Sequence, residues 1–302
     1  MWFWLSLITL ICWSGSDLFS KIGCRDAKDK YSHLKMVTAV GVVMGLHACY
    51  EIFVGGTEIS VDVFLTYLPV SILYIASMAM GYLGLRYIEL SISSPICNSS
   101  GALVAVMTLI MVGFKGYSPL ALGAVALVCV GAIGLGVVEY FEDETLRAAR
   151  QEKSNYKYAK SFVAIALPVA YCILDALGTF ADNRVLERLN EDSANVAYEL
   201  TFLLVGVVCF IYVKFIKKQN FVPKMEGPKY LGAVCETAGQ FAYIYAIADT
   251  EHLAMSAPII SSYCAASVLW SRIFLKEKLS YKHYLMIILI VIGIAVMGFL
   301  DM

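Results

Sequence analysis

Long apolar stretches alternate with short polar segments along the whole chain. A helix needs about 20 mostly apolar residues to cross the hydrocarbon core of a bilayer, and ten stretches have that length. Segments of a transmembrane barrel would be about half as long and would alternate strictly, which these do not. The pattern therefore predicts an all-α polytopic membrane protein. Its predicted transmembrane helices are 2–23, 34–55, 63–85, 91–113, 117–138, 161–182, 193–216, 228–249, 253–274 and 281–300.

Composition agrees with a membrane protein and excludes other classes. Of the 302 residues, 60% are hydrophobic and only 16% are charged, whereas soluble chains carry about 25% charge. The net charge of -1 and the absence of a basic run give no expectation of a nucleic-acid partner. The start of the chain has no basic region before its apolar run, so we expect a retained first span and not a signal peptide. The nine cysteines lie singly, without metal-ligand spacing, and no cofactor is expected.

Lysine and arginine collect on one side of the predicted bundle. The loops that follow spans one, three, five, seven and nine hold 20 of the 23 basic residues, and only Lys115, Arg184 and Arg188 lie on the other side. Basic residues accumulate in cytoplasmic loops. The charges therefore predict a multi-pass protein of the cell (plasma) membrane with both termini outside.

The polar segment 139–160 divides the chain into two units of five spans, 1–138 and 161–302. Serine, proline, isoleucine and alanine positions around Pro95 recur around Pro258, and Trp13 with Asp17 aligns with Tyr171 and Asp175. Because five is odd, the second unit enters the membrane from the opposite side. Such inverted repeats are typical of secondary transporters, whose site lies near the midplane where the repeats meet. The positions that recur are Ser93, Pro95, Ile96, Ser99 and Ala102 with Ser256, Pro258, Ile259, Ser262 and Ala265.

Two motifs resemble those of EamA-type transporters in the drug/metabolite transporter (DMT) superfamily. Residues 274–280, FLKEKLS, are similar to the family signature F-L-G-E-x-L-[ST] before an apolar last span. Residues 82–87, YLGLRY, run into Ser93-Ser94-Pro95 as at the family's junction of spans three and four. The resemblance implies a ten-helix carrier of small metabolites, commonly an exporter, with a central cavity lined by both repeats.

The chain departs from this family in two respects. Residues 114–118, FKGYS, occupy the signature position of the first repeat but lack its glutamate. Members also usually place both termini inside, opposite to the orientation that the basic residues predict here.

Four acids lie well inside predicted spans, away from the span ends: Asp17, Asp175, Glu199 and Glu236. A charged group in a bilayer costs on the order of 3 kcal/mol and is usually turned toward a wet cavity or a partner. By position, Glu236 is nearest the midplane, and Asp17 and Asp175 are related by the repeat. Basic residues are scarce within the spans, which favours a cationic substrate, proton coupling, or both.

Helical spacing groups further polar and aromatic side chains with these acids. Glu236, Gln240 and Tyr243 are spaced i, i+4 and i+7, which places them on one face of a helix. Aromatic rings beside a carboxylate suit an organic cation through cation–π attraction. Asp17, Asp175 and Glu199 are predicted to act in coupling or gating. The predicted substrate-binding residues are Glu236, Gln240, Tyr243, Trp13, Tyr74, Tyr171, Asn98, Ser262 and Tyr263.

These observations favour a secondary transporter that moves a small organic cation or amine-bearing metabolite by alternating access, with protons as a coupling ion. Its expected partners are the substrate and the lipid bilayer. One alternative is an exporter of neutral or zwitterionic metabolites such as amino acids, in which the acids only carry protons. A non-transporting scaffold or an intramembrane enzyme is a further alternative, but the sequence shows no nucleophile–base pair or metal motif, and its four histidines are isolated. We therefore expect no enzymatic activity.

Overall fold

The structure, a computed structural model, describes residues 1–25, 29–88, 90–113, 117–141 and 162–301. These residues form helices and no strands, which confirms the all-α prediction. The predicted polar segment 139–160 lies almost entirely outside the described residues, as does most of the FKGYS motif. The α-helices are α1 (Trp2–Cys24), α2 (Ser32–Tyr50), α3 (Val61–Gly84), α4 (Leu90–Cys97), α5 (Ser100–Val112), α6 (Pro119–Tyr140), α7 (Phe162–Leu186), α8 (Glu191–Ile211), α9 (Pro223–Ala248), α10 (Leu253–Ser261), α11 (Tyr263–Phe274) and α12 (Tyr281–Asp301).

Eight helical segments of the described chain are long and apolar enough to cross a membrane. The other two long helices, α7 and α9, have 25 and 26 residues. They contain charged residues well inside their length, such as Asp175 in α7 and Glu236 in α9. The eight segments are Trp2–Cys24, Ser32–Gly55, Val61–Gly84, Leu90–Met111, Pro119–Val138, Glu191–Ile216, Leu253–Phe274 and Tyr281–Leu300.

The helices pair between the two halves of the chain: α1 lies along α9, α2 along α8, α3 along α7 and α6 along α12. The contacts of α1 with α9 run in opposite directions, since Gly15 meets Cys235 and Gly23 meets Lys229. Small residues permit a close approach of α2 and α8. A Cβ atom at Gly41 would lie 2.6 Å from the main-chain oxygen of Phe202, so only glycine fits there.

Two spans are broken near their middle, and each break follows a proline. Pro95 lies in α4, and Asn98 and Ser99 form a turn before α5 begins. Pro258 lies in α10, and Ser262 separates α10 from α11. Proline removes a backbone donor and clashes with the preceding turn. In a membrane, the polar backbone that it frees is tolerated where protein or a cavity surrounds it.

Helices α2 and α8 share another feature, because each continues into a five-residue π-helical turn. The turns are Glu51–Gly55 after α2 and Tyr212–Ile216 after α8. Short π-helical segments are rare and often occur at functional sites. Here one follows the second helix of the chain and the other follows α8, which packs against it.

One end of the bundle contains a buried group of opposite charges, which we call the ion-pair cluster: Asp29, Lys35, Glu226 and Lys229. The Lys35 Nζ atom lies 3.0 Å from Asp29 and 3.6 Å from Glu226. The Lys229 Nζ atom lies 3.1 Å from Glu226 and 3.8 Å from Asp29. All four residues are at most 6% exposed. We call this end, where α1 and α3 finish and α2, α4 and α9 begin, the basic end.

Candidate functional site

A central cavity lies where helices from both halves of the chain meet. It contains about 660 Å³ of space not filled by atoms, including its mouth. Its wall runs from the middle of α7 and α9 to the last residues of α3 at the basic end. The residues that line it are Trp13, Ser16, Asp17, Tyr74, Met78, Gly81, Tyr82, Leu85, Ser93, Ser94, Cys97, Tyr171, Asp175, Tyr198, Glu236, Gln240 and Tyr263.

Asp17 and Asp175 face the broken spans, which supply hydroxyl donors to them. The Asp17 carboxylate accepts hydrogen bonds from Ser94 at 2.5 Å and from Ser267 at 2.8 Å. The Asp175 carboxylate accepts one from Ser100, the first residue of α5, at 2.7 Å. Both acids are partly accessible from the cavity. Hydroxyl groups orient these carboxylates without neutralising them.

Glu236 is the third acid of the cavity and the most buried, with 9% of its surface exposed. Its carboxylate has the Ser16 side chain as a hydrogen-bond partner. The Trp13 indole donates to the main-chain oxygen of Glu236 at 3.4 Å, which joins α1 to α9. Gln240 follows one turn later on the same face of α9 and also lines the cavity.

Aromatic rings form much of the remaining wall. The Trp13 ring centroid lies 4.9 Å from that of Tyr243 and 5.8 Å from that of Tyr263. No Lys, Arg or His is among the lining residues that the structure describes. Three carboxylates and several ring faces therefore surround a space without a basic side chain, an environment that attracts cations.

Away from the basic end, a group of hydroxyl and carboxyl side chains adjoins the cavity. We call it the hydroxyl cluster: Tyr67, Tyr74, Thr179, Asp182 and Tyr243. Asp182 accepts hydrogen bonds from Tyr67 at 2.8 Å and from Tyr74 at 3.3 Å. Tyr243 donates to Thr179 at 3.0 Å and is hydrogen-bonded to Tyr74. These bonds tie α3, α7 and α9 together beside the cavity.

The structure brings most of the predicted site residues to this region. Tyr243 and Asn98 line a smaller cavity beside the central one, sharing Trp13, Tyr171, Asp175 and Tyr263 with it. Ser262 donates to the main-chain oxygen of Ile259 at 2.5 Å and lines neither cavity. The predicted residues on the wall of the central cavity are Trp13, Asp17, Tyr74, Tyr171, Asp175, Glu236, Gln240 and Tyr263.

Glu199 lies outside both cavities, between α8 and α2. Its two carboxylate oxygens are 2.9 and 3.0 Å from Nδ1 of His47, and Asn195 donates to it at 3.1 Å. The interpretation of His47 as an isolated histidine is therefore wrong. Its partner is 152 positions away in the sequence, and only the antiparallel packing of α2 on α8 brings the two together.

The sequence patterns did not predict several residues of the site. Ser94, Ser100 and Ser267 donate hydrogen bonds to the acids of the cavity. Tyr82 and Tyr198 line the cavity. Asp182 was also missed, because it falls at the end of a predicted span. A signal for it existed, since Asp175, Thr179 and Asp182 are spaced i, i+4 and i+7 on one face of α7. No group of metal-binding side chains occurs among the described residues.

Comparison with known proteins supplies a family and a fold. Residues 163–299 match the EamA-like transporter family, which belongs to the drug/metabolite transporter superfamily, and this confirms the resemblance seen in the motifs. Among curated proteins, none matches the chain significantly. A solved chain described as "Crystal structure of protein" has a TM-score of 0.65 at 13% identity, over 98% of this chain and 96% of its own. At that identity the likeness concerns the fold alone.

Proposed function

Because residues 163–299 are an EamA-like transporter domain in a multi-pass helical membrane protein, we propose that the protein is a secondary transporter of a small organic cation or amine-bearing metabolite. Transport, and not catalysis, is the proposed activity. The single observation that carries the cationic assignment is the central cavity, in which Asp17, Asp175 and Glu236 share one wall with aromatic rings and with no described basic side chain.

The proposed architecture is ten transmembrane helices arranged as two inverted repeats, 1–138 and 161–302. A two-fold axis that exchanges α1 with α7 and α3 with α9 would convert the α1–α9 pair into the α7–α3 pair, and both pairs are present. The same axis would map α2 onto α8 and α6 onto α12, which also lie together. The paired π-helical turns and the paired proline breaks support this relation further.

Alternating access is the proposed mechanism, with the two repeats rocking about the cavity. The wall of the cavity reaches Leu85 and Ser93 near the basic end, while the hydroxyl cluster holds α3, α7 and α9 together on the other side. Opening the cavity at the end of the bundle away from the basic end would require water to replace these hydrogen bonds between hydroxyl and carboxyl groups. Asp17 and Asp175 are the proposed gate and coupling residues within this path.

Protons are the proposed coupling ion. Carboxylates that bind a cation and then lose it can take up a proton in its place, which keeps the charge of the cavity balanced. Glu199 differs from the cavity acids, because its carboxylate is held by His47 at 2.9 Å. Its proposed part in coupling is therefore as a separate proton site between α2 and α8.

The proposed orientation follows the basic residues. The predicted loops on this side of the bundle hold 20 of the 23 lysines and arginines of the sequence, so the basic end would face the cytoplasm of a plasma-membrane protein. Both termini would then lie outside.

The test of the proposed function is transport by purified protein in proteoliposomes. Glu236→Gln keeps the shape of the side chain but removes its charge, so we expect the affinity for a transported amine to fall about tenfold or more, as for loss of a charge-assisted hydrogen bond. Glu187→Gln, an exposed position, is the matched control. Unchanged affinity and rate in Glu236→Gln would overturn the cationic assignment. An imposed pH gradient should drive uptake of the amine. If uptake does not respond to the gradient, proton coupling is overturned and the cationic assignment still stands.

A further inference from the structure

Two polar groups in the central cavity have no hydrogen-bond partner among the described residues: the Tyr82 hydroxyl and the side-chain nitrogen Nε2 of Gln240. Both side chains line the cavity, and they are only 6% and 3% exposed. Buried polar groups are nearly always paired, because an unpaired one has lost its water without replacement. Neither group belongs to the acid set that the cationic assignment uses, so each is available to a ligand.

The character of the two groups limits what they can bind. The Gln240 nitrogen only donates hydrogen bonds, and the Tyr82 hydroxyl can donate one, so an acceptor atom of the ligand can pair with either group. That acceptor should be uncharged, because the same wall has three carboxylates that would repel an anion. The buried amino group of Lys21 is not on this wall, and it donates instead to the main-chain oxygens of Leu85 and Ile88 at 3.0 and 2.9 Å.

The spacing of Glu236 and Gln240 sets the distance between the amine and the hydrogen-bond acceptor of the ligand. Glu236 and Gln240 are one turn apart on the same face of α9, which separates their Cα atoms by about 6 Å along the helix axis. A short carbon chain between a cationic nitrogen and a carbonyl oxygen spans such a distance.

We infer that the substrate has a neutral hydrogen-bond acceptor in addition to its amine, and that Tyr82 and Gln240 are the residues that select for this acceptor. The inference rests on the proposed function and restricts the class of proposed substrates. It distinguishes amine-bearing amides and similar neutral carbonyl compounds both from simple amines and from amino acids.

The test uses three compounds of the same size and measures the thermal stabilisation of the purified full-length protein, which reports binding by mass action. The compounds are 3-methylbutylamine, 3-aminopropanamide and β-alanine, which share an amine and differ in the group at the other end. We expect 3-aminopropanamide to bind about tenfold more tightly than 3-methylbutylamine, as for one or two added hydrogen bonds. β-Alanine should bind more weakly than the amide.

Variants then assign the effect to the two residues. Tyr82→Phe and Gln240→Met should each reduce the preference for the amide over 3-methylbutylamine to about twofold or less. Because the deleted groups have no described partner in the protein, the unliganded variants should be as stable as the parent protein, which a structural role would not allow. Tyr230→Phe, on an exposed part of α9, is the matched control and should keep the full preference.

The outcomes separate this inference from the proposed function. Equal binding of 3-methylbutylamine and 3-aminopropanamide to the parent protein would overturn the inference and leave the cationic assignment standing. A preference that survives in both Tyr82→Phe and Gln240→Met would overturn the assignment to these residues. Tighter binding of β-alanine than of the amide would overturn the neutral character of the acceptor. Binding of none of the three would overturn the proposed function together with the inference.

Discussion

The ion-pair cluster and the hydroxyl cluster lie toward opposite ends of the bundle and bury polar groups in different ways. In the ion-pair cluster, two lysines and two acids compensate one another at N–O distances between 3.0 and 3.8 Å. In the hydroxyl cluster, the single acid Asp182 is fully buried and its hydrogen-bond donors are the hydroxyl groups of Tyr67 and Tyr74. One cluster balances charge with charge, and the other surrounds one carboxyl group with hydroxyl donors.

This difference indicates which of the two sets of contacts is expected to persist during transport. Separating a buried ion pair exposes each charge to a large desolvation cost, so the ion-pair cluster holds the first turns of α2 and α9 in a fixed relation. Hydroxyl–carboxyl bonds contribute about 1 kcal/mol each in net terms, because water can replace them. We therefore expect the hydroxyl cluster to be the part that opens during transport, while the ion-pair cluster anchors α2 to α9.

The largest effect should come from removing one charge of the ion-pair cluster. Lys229→Met leaves Glu226 without its nearest cation, and we expect the free energy of unfolding to fall by about 3–5 kcal/mol. The measurement is chemical unfolding of the purified protein in detergent. Lys224→Met, at an exposed position of the same helix, should have almost no effect. The double variant Lys229→Met with Glu226→Gln should recover part of the loss, and a double variant weaker than the single one would contradict this account.

A smaller effect is expected from the hydroxyl cluster. In Asp182→Asn, the amide oxygen can still accept the hydrogen bond of Tyr67, and no unpaired charge is created. The free energy of unfolding should fall by about 1–3 kcal/mol, measured in the same unfolding experiment. Asp62→Asn, an exposed position in the first turn of α3, is the control. A loss as large as that of Lys229→Met would mean that the two clusters do not differ as proposed.

The smallest effect should come from an exposed ion pair away from the basic end. The Arg184 Nη1 atom lies 2.7 Å from Glu187, but both side chains are more than 40% exposed. Solvent screens such a pair, so Arg184→Ala should change the free energy of unfolding by about 0–1 kcal/mol. A loss above 2 kcal/mol would show that a close ion pair matters even without burial, and the contrast with Lys229 would then need another cause.

The helices were largely predictable from the sequence, because crossing a bilayer forces long apolar runs. The breaks after Pro95 and Pro258 were signalled by proline itself, and the grouping of Glu236 with Gln240 followed from helical spacing. The partner of Glu199 could not be predicted, since the apolar pattern does not tell which helix packs against α8. The ion-pair cluster could not be predicted for a related reason: Lys35 and Lys229 were counted with the basic residues of the loops, and the sequence does not show that α2 and α9 meet.

The pairing of α1 with α9 and of α3 with α7 also has a consequence for the making of the protein. Among the acids of the cavity, Asp17 lies on a helix whose partner is synthesised much later, since 219 residues separate Asp17 from Glu236. At about 5–20 residues per second, α1 waits on the order of 10–40 s in the membrane before α9 is available. During that interval Asp17 has neither its final neighbours nor its cavity. Assembly of this protein therefore requires an environment that shelters a polar helix face until the second half of the chain arrives.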